Sequence, residues 1–161
     1  LDEVELEVCE RPGQVTVTWS GPQKPEGQAM FSLVGVRPGD WMRMVADTRF
    51  APLNMLYSIS WFDPRTGQER DFRMEERAFF ARVDDTQSML YAFYNARFSP
   101  KDSWLVPRLM SLTMPQIIRY EYYLDRKVLS ALDPARVDLQ GYRLGRMDKP
   151  VVAHRRQMAA A

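Results

Sequence analysis

The chain has 161 residues, 45% hydrophobic and 27% charged, an ordinary globular composition that excludes wholesale disorder. Its 22 basic and 21 acidic residues leave a net charge of +1, so no global field holds a polyanion and nucleic acid is disfavoured as a partner. No apolar run approaches the ~18–20 residues of a membrane span, the acidic, alternating start LDEVELEVCE is unlike a signal peptide, and the single cysteine, Cys9, excludes an internal disulfide. A reducing, cytoplasmic compartment is the expectation.

In chain order, Val4–Val8 alternates strictly, Arg11-Pro12-Gly13 turns, and Val15–Trp19 alternates again, which predicts a hairpin. A Pro- and Gly-rich loop covers residues 21–27. The apolar run Ala29–Val36 reads as a short strand, closed by Arg37-Pro38-Gly39-Asp40. Strands follow at Trp41–Phe50 and Asn54–Phe62. Asp63-Pro64-Arg65-Thr66-Gly67 has complete turn chemistry, with proline fixing φ and glycine supplying positive φ. The return reads as two pieces, Glu69–Met74 and Ala78–Val83, and Asp84-Asp85 turns into Ser88–Phe98. That run is aromatic on both faces and is expected to be a central strand covered on both sides.

At Ser99 the period changes. Ser99-Pro100-Lys101-Asp102 resembles a helix start, with serine as cap and proline at the first helical position. Pro107 and Pro115 are expected to break the helical pattern into Pro100–Met114 and Pro115–Leu132, ended by Asp133-Pro134. Val151–Met158 holds one more strand or short helix. Strands first and helix afterwards predict an α+β fold: a curved antiparallel sheet gripping a long C-terminal helix, as one domain over residues 1–161. Because the chain opens on Leu1 directly into a strand pattern, a processed product or part of a longer polypeptide is expected.

Ile118, Tyr122, Asp125, Leu129 and Leu132 share one stripe of a 3.6-residue period. A carboxylate in such a stripe must be paired, hydrogen-bonded or metal-bound. An ion pair with a nearby arginine and ligand duty both satisfy the pattern. His154, the only histidine, sits beside Arg155-Arg156 and reads as a surface or capping group. Several imidazoles, a thiolate–zinc site or an iron–sulfur cluster cannot be built from this chain alone. Glu121, one turn before Asp125, reads as a surface partner of Arg126 or Lys127. Ser58, Ser60 and Ser88 lack an adjacent base, and the glycines show no phosphate-binding spacing. Cys9 reads as a packing residue in its strand.

Tyr123-Leu124-Asp125-Arg126-Lys127-Val128-Leu129, followed by Leu132-Asp133-Pro134-Ala135-Arg136 and Asp148-Lys149-Pro150-Val151-Val152, resembles the C-terminus of Rieske non-haem iron oxygenases of the vanillate O-demethylase type. Arg82–Phe98 resembles that family's substrate-pocket strand, so the likeness covers about half the chain. Leu124 replaces the acid that usually precedes the ligand aspartate, and Asn95-Ala96-Arg97 permutes the usual order. The resemblance implies a helix-grip, START-like catalytic domain of a ring-hydroxylating or demethylating oxygenase. Asp125 would then bind mononuclear Fe(II) with histidines from outside this chain, in a 2-His-1-carboxylate triad that leaves positions open. A 2Fe-2S cluster would lie in a preceding Rieske domain, fed by a reductase or ferredoxin, and the family implies a homotrimer. Phe80, Tyr91, Phe93, Tyr122 and Leu129 are expected to line a cavity for a small apolar or aromatic substrate. The alternative is a non-catalytic ligand-binding or assembly protein of the same fold.

Overall fold

A computed structural model describes residues 4–23, 28–84, 88–99, 104–131, 145 and 148–160. The fold is α+β, a curved antiparallel sheet of six strands with a C-terminal helix packed against it. The strands are β1 (Glu5–Arg11), β2 (Gln14–Pro22), β3 (Trp41–Phe50), β4 (Leu53–Phe62), β5 (Glu69–Arg82) and β6 (Ser88–Arg97), and they lie side by side in chain order. Helix α1 (Gln28–Ser32) sits between β2 and β3, while α2 (Leu105–Ala131) and α3 (Lys149–Ala160) follow β6. The chain forms two compact units, one of residues 1–99 with 143–161 and the other of residues 100–142. Among the described residues no helix is long and apolar enough to cross a membrane.

The turns form where the sequence places them. Pro12-Gly13 closes β1 onto β2 with Gly13 at φ 70°, the positive value a proline-led type II turn requires. At the β4–β5 turn Gly67 adopts φ 71°, its N–H donates to the Asp63 carbonyl, and the Asp63 carboxylate accepts from the Arg65 N–H at 2.9 Å. Ala51–Pro52 is a cis peptide between β3 and β4.

Several expectations need correction. Ala29–Val36 is not a strand: its first half is α1, and Val34 and Val36 are buried in the turn that follows. The return is one continuous 14-residue strand, β5. Strand β6 is the edge of the sheet, exposed along most of its length, rather than central and doubly covered. Helix α2 runs unbroken through both prolines. Pro107 falls in its first turn, where the missing N–H has no intrahelical partner to lose, and Pro115 costs a single interior bond that 27 residues of helix absorb. The proposed start at Ser99–Asp102 extends beyond the described residues, and the stop at Asp133-Pro134 lies outside them. The helix seen packed on the sheet is α3, on β1 and β2. Cys9 is exposed, because the β1 alternation turns Leu6 and Val8 inward and Cys9 outward.

Cross-strand register assigns the two faces of the sheet, since directly paired residues lie on the same side. Leu6, Val8, Val15, Val17, Trp19, Met42, Met44, Ala46, Met55, Tyr57, Ile59, Phe72, Met74 and Ala78 share the inner face. Gln14, Thr16, Thr18, Arg43, Asp47, Arg49, Ser58, Ser60, Arg73 and Glu75 share the outer one. Two core patches sit on the inner face. At one end Val15, Phe50 and Ala153 pack together with Val8, Val17 and Leu53. Near the other, Trp61 stacks on Phe72 at 5.3 Å, Phe31 of α1 lies 4.8 Å from Trp61, and Phe98 lies 5.4 Å from Phe72. Trp61 donates its indole N–H to Gln23 at 2.6 Å.

A buried ion pair locks the loop that carries α1 to the start of β5. Arg70 donates to Asp40 twice, Nε to Oδ2 at 2.8 Å and Nη2 to Oδ1 at 2.6 Å, and the Arg37 N–H adds a bond at 2.7 Å. The Asp40 side chain is 3% exposed and that of Arg70 is 11%. Burial alone would raise the Asp40 pKa, but the hydrogen bonds from Arg70 and the Arg37 N–H, with the two guanidinium charges, hold it below the ordinary carboxylate value. A depressed folded-state value contributes stability above the unfolded pKa and loses it as pH falls through the folded one. The melting temperature should therefore fall below about pH 4, with a shallower fall in Asp40→Asn. Asp40→Ala, which leaves Arg70 buried and unpaired, should cost about 3–5 kcal/mol in a denaturant titration at pH 7.

Candidate functional site: an exposed aromatic ledge

The last two strands present an unusual concentration of exposed large apolar side chains. Phe79 (38% exposed) and Phe80 (39%) stand on β5, and Met89 (46%), Leu90 (39%), Tyr91 (52%), Phe93 (66%) and Tyr94 (41%) on β6. Pairing of Phe79 with Tyr91 and of Arg77 with Phe93 places Tyr91, Phe93 and Phe79 on the outer face. There Phe93 meets Phe79 edge-on at 6.3 Å, the geometry in which the positive edge of one ring faces the negative face of another. Arg77, Glu75 and Arg97 share that face and form its polar surround. Phe80 pairs with Leu90 and stands on the inner face together with Tyr94.

The sheet thus separates residues that the sequence reading grouped. Phe80 lies on one face and Tyr91 and Phe93 on the other, so the three do not line a common cavity. The reason is the strict period of two: Phe80 and Tyr91 differ in parity across an unshifted register. Tyr122 is half-buried in α2. Asp125 and Leu129 also belong to α2, but their side chains lie outside the described residues, as does Leu132. Within α2 the better-buried positions Val106, Met110, Met114, Ile118 and Tyr122 recur every four residues, extending the expected stripe towards the N-terminus.

His154 is not a surface group. Its ring lies edge-on to Phe50 at 5.8 Å, Nδ1 donates to the Pro150 carbonyl at 2.7 Å, and Nε2 lies 3.0 Å from the Thr48 hydroxyl. Since a carbonyl only accepts, Nδ1 carries the proton; it is held within α3 by the Pro150 carbonyl, and Nε2 is the ring nitrogen that fastens α3 to β3. Around it Gln157 accepts from the Gly13 N–H at 2.9 Å and Arg156 pairs with Glu10 at 2.7 Å. A cleft of about 290 Å3 opens there, lined by Val8, Glu10, Gly145, Asp148, Lys149, Val152 and Arg156. Among the described residues no three His, Cys, Asp or Glu side chains come together as a metal-holding group.

Sequence reasoning found the aromatic residues of β6 but not their exposure. The absence of any charge from Ser88 to Ala96, beside the charged positions of β1, was the available signal. The chain matches no protein-family model, no curated protein and no solved structure.

Because His154 serves α3 docking, His154→Ala should lower stability by roughly 1–3 kcal/mol, the cost of an unpaired buried hydroxyl and a lost ring contact. It should leave divalent-metal uptake unchanged, read by denaturant unfolding and by calorimetry with Fe(II) or Co(II).

Proposed function

We propose that this chain is a non-catalytic binding and assembly module that engages its partner through the aromatic ledge of β5 and β6. The observation that carries this reading is the seven large apolar side chains left exposed on two adjacent strands that end the sheet. Exposed apolar surface of this density is costly in water and marks an interaction site in a folded protein. Phe79, Phe93 and Tyr91 have the character of interface anchors: large, stiff, and surrounded by Arg77, Glu75 and Arg97.

The perturbed ionisable groups support the same reading. The Asp40 and Asp63 carboxyls are held below their ordinary pKa and the Arg70 guanidinium above its own by hydrogen bonds and opposite charges that hold loops in place, against the opposing effect of burial. They adjoin the α1 loop and the β4–β5 turn, where they act as fasteners. An acid–base site would concentrate such groups where a substrate reaches them.

The oxygenase reading is carried by the resemblance of Tyr123–Leu129, Arg82–Phe98 and Asp148–Val152 to that family, and one pair of measurements separates the two proposals. Because the iron's histidines would come from outside this chain, the gene's full-length product is incubated anaerobically with Fe(II) and desalted; its iron content should be the same in wild type and in Asp125→Asn. One iron per chain, lost in Asp125→Asn, would favour the oxygenase. The double variant Tyr91→Lys with Phe93→Lys should lose more than half of the fluorescence of an apolar reporter dye such as anilinonaphthalene sulfonate. Its stability should fall by no more than about 1–2 kcal/mol, the loss of the Phe79–Phe93 ring contact. Unchanged dye fluorescence would remove the ledge as the docking surface.

A further inference from the structure

The two edges of the sheet are built differently. Strand β1 carries Glu5, Glu7, Glu10 and Arg11 in seven residues, and α3 packs beside it. Charges along an edge oppose pairing with another strand. Strand β6 is ten residues long, with no proline, glycine, lysine or acid, and Arg97 at its far end is its only charge. Its inner neighbour is β5, and among the described residues no strand lies on its other side. A long, apolar, unguarded edge offers both backbone hydrogen-bonding groups and side chains to an incoming strand.

We propose that the free edge of β6 pairs antiparallel with β6 of a second copy of this chain, about a two-fold axis through Ala92, joining two six-stranded sheets into one. The inference rests on the reading of β5 and β6 as the docking surface and names the occupant. Such an axis stands perpendicular to the sheet and keeps each face on its own side, so directly opposed residues share parity. Centred on Ala92, the register sets Tyr91 against Phe93 of the other copy and Leu90 against Tyr94, each twice by symmetry. Cross-strand aromatic and aromatic–aliphatic pairs of this kind stabilise antiparallel sheets. Moving the axis to Phe93 would instead oppose Tyr91 to Asn95 and Met89 to Arg97, which forfeits those pairs.

Register and charge favour a second copy over other strands. Met89, Leu90, Tyr91, Phe93 and Tyr94 are all exposed beside the edge, and pairing in the plane of the sheet covers the backbone edge and the flanks of these side chains while leaving their outward faces in solvent. No like charges meet in the Ala92-centred register, since Arg97 falls beyond the paired segment at each end. Pairing β6 with β1 of another copy would set the Glu5 and Glu7 strand against aromatics and leave further edges free, building an open filament rather than a closed dimer.

The test uses the full chain in a Cys9→Ser background. Ala92→Cys would bring two thiols together across the axis, with Cα atoms about 4.5–5.5 Å apart, inside the range a disulfide spans. Mild oxidation should convert most of the protein to a reducible dimer. Ser88→Cys, whose two copies lie about 26 Å apart in this register, should not cross-link. By sedimentation velocity at tens of micromolar the wild type should be a dimer, and Tyr91→Lys with Phe93→Lys a monomer with an unchanged circular dichroism spectrum. A monomeric wild type, or equal cross-linking of the two cysteine variants, overturns the inference. If the wild type is monomeric while the double variant still loses dye binding, the ledge serves a different partner and only the second-copy assignment fails. If dye binding is unaffected, the docking reading fails as well.

Discussion

The structure depends on one constraint: six consecutive strands keep a strict two-residue alternation in matched register, so that every inward position falls on the same side. A slip of one residue in any strand would move its whole apolar set to water. The register from Glu5 on β1 to Arg97 on β6 has its single irregularity between Ser60 and Phe62. Beside it the same alternation sends adjacent aromatics to opposite sides. Trp61 joins Phe31 and Phe72 within, while Phe62 pairs with Trp41, lies edge-on to its ring at 6.3 Å, and carries the Arg43 guanidinium 4.6 Å above its own ring. Both core patches, and the helices that close them, are consequences of that alternation.

Elements whose signal is local were legible in the sequence. The β1–β2 hairpin and the β4–β5 turn announce themselves through Pro12-Gly13 and Pro64…Gly67, because proline and glycine restrict φ without help from tertiary contacts. Helix α1 was hidden for the opposite reason. Five residues are too few to display a 3.6-residue period, and Phe31 is apolar because it packs on Trp61, not because it belongs to a strand. Pro115 misled because the cost of one lost bond is paid from the whole helix. The edge position of β6 was illegible from hydrophobicity, since Tyr91, Phe93 and Leu90 look alike whether a sheet face, a helix or another molecule covers them. Asp125 was placed correctly on a long helix, which is as far as periodicity reaches.

His154 shows how one residue can be misassigned by its neighbours in sequence. Flanked by Arg155 and Arg156, it has the context of a solvent-facing tail, yet α3 turns it towards Thr48 and Phe50 while Arg156 reaches out to Glu10. With Ala153 fully buried beside it, the helix docks through one small side chain and one imidazole. A small residue at the contact lets helix and sheet approach closely, and the imidazole supplies the hydrogen bond that the buried Thr48 hydroxyl needs.

Chemistry and recognition draw on different resources, and the distribution of those resources over this chain is uneven. Its buried charges are consumed in fastening loops: Arg70 clasps both Asp40 carboxylate oxygens, and the Arg37 N–H adds a third bond to the same carboxylate. Its inner face is spent on Trp61, Phe72, Val15 and Phe50. What remains uncommitted is area, concentrated at the strand where the sheet ends. An edge strand supplies recognition in two forms at once, a row of backbone groups that demands hydrogen-bonding partners and alternate side chains that select them. Charged side chains along β1 discourage pairing at one end of the sheet, whereas β6 carries none before Arg97. A sheet discouraged from growing at one edge and open at the other can add only once, which makes a finite assembly, rather than a fibre, the natural outcome of its two ends.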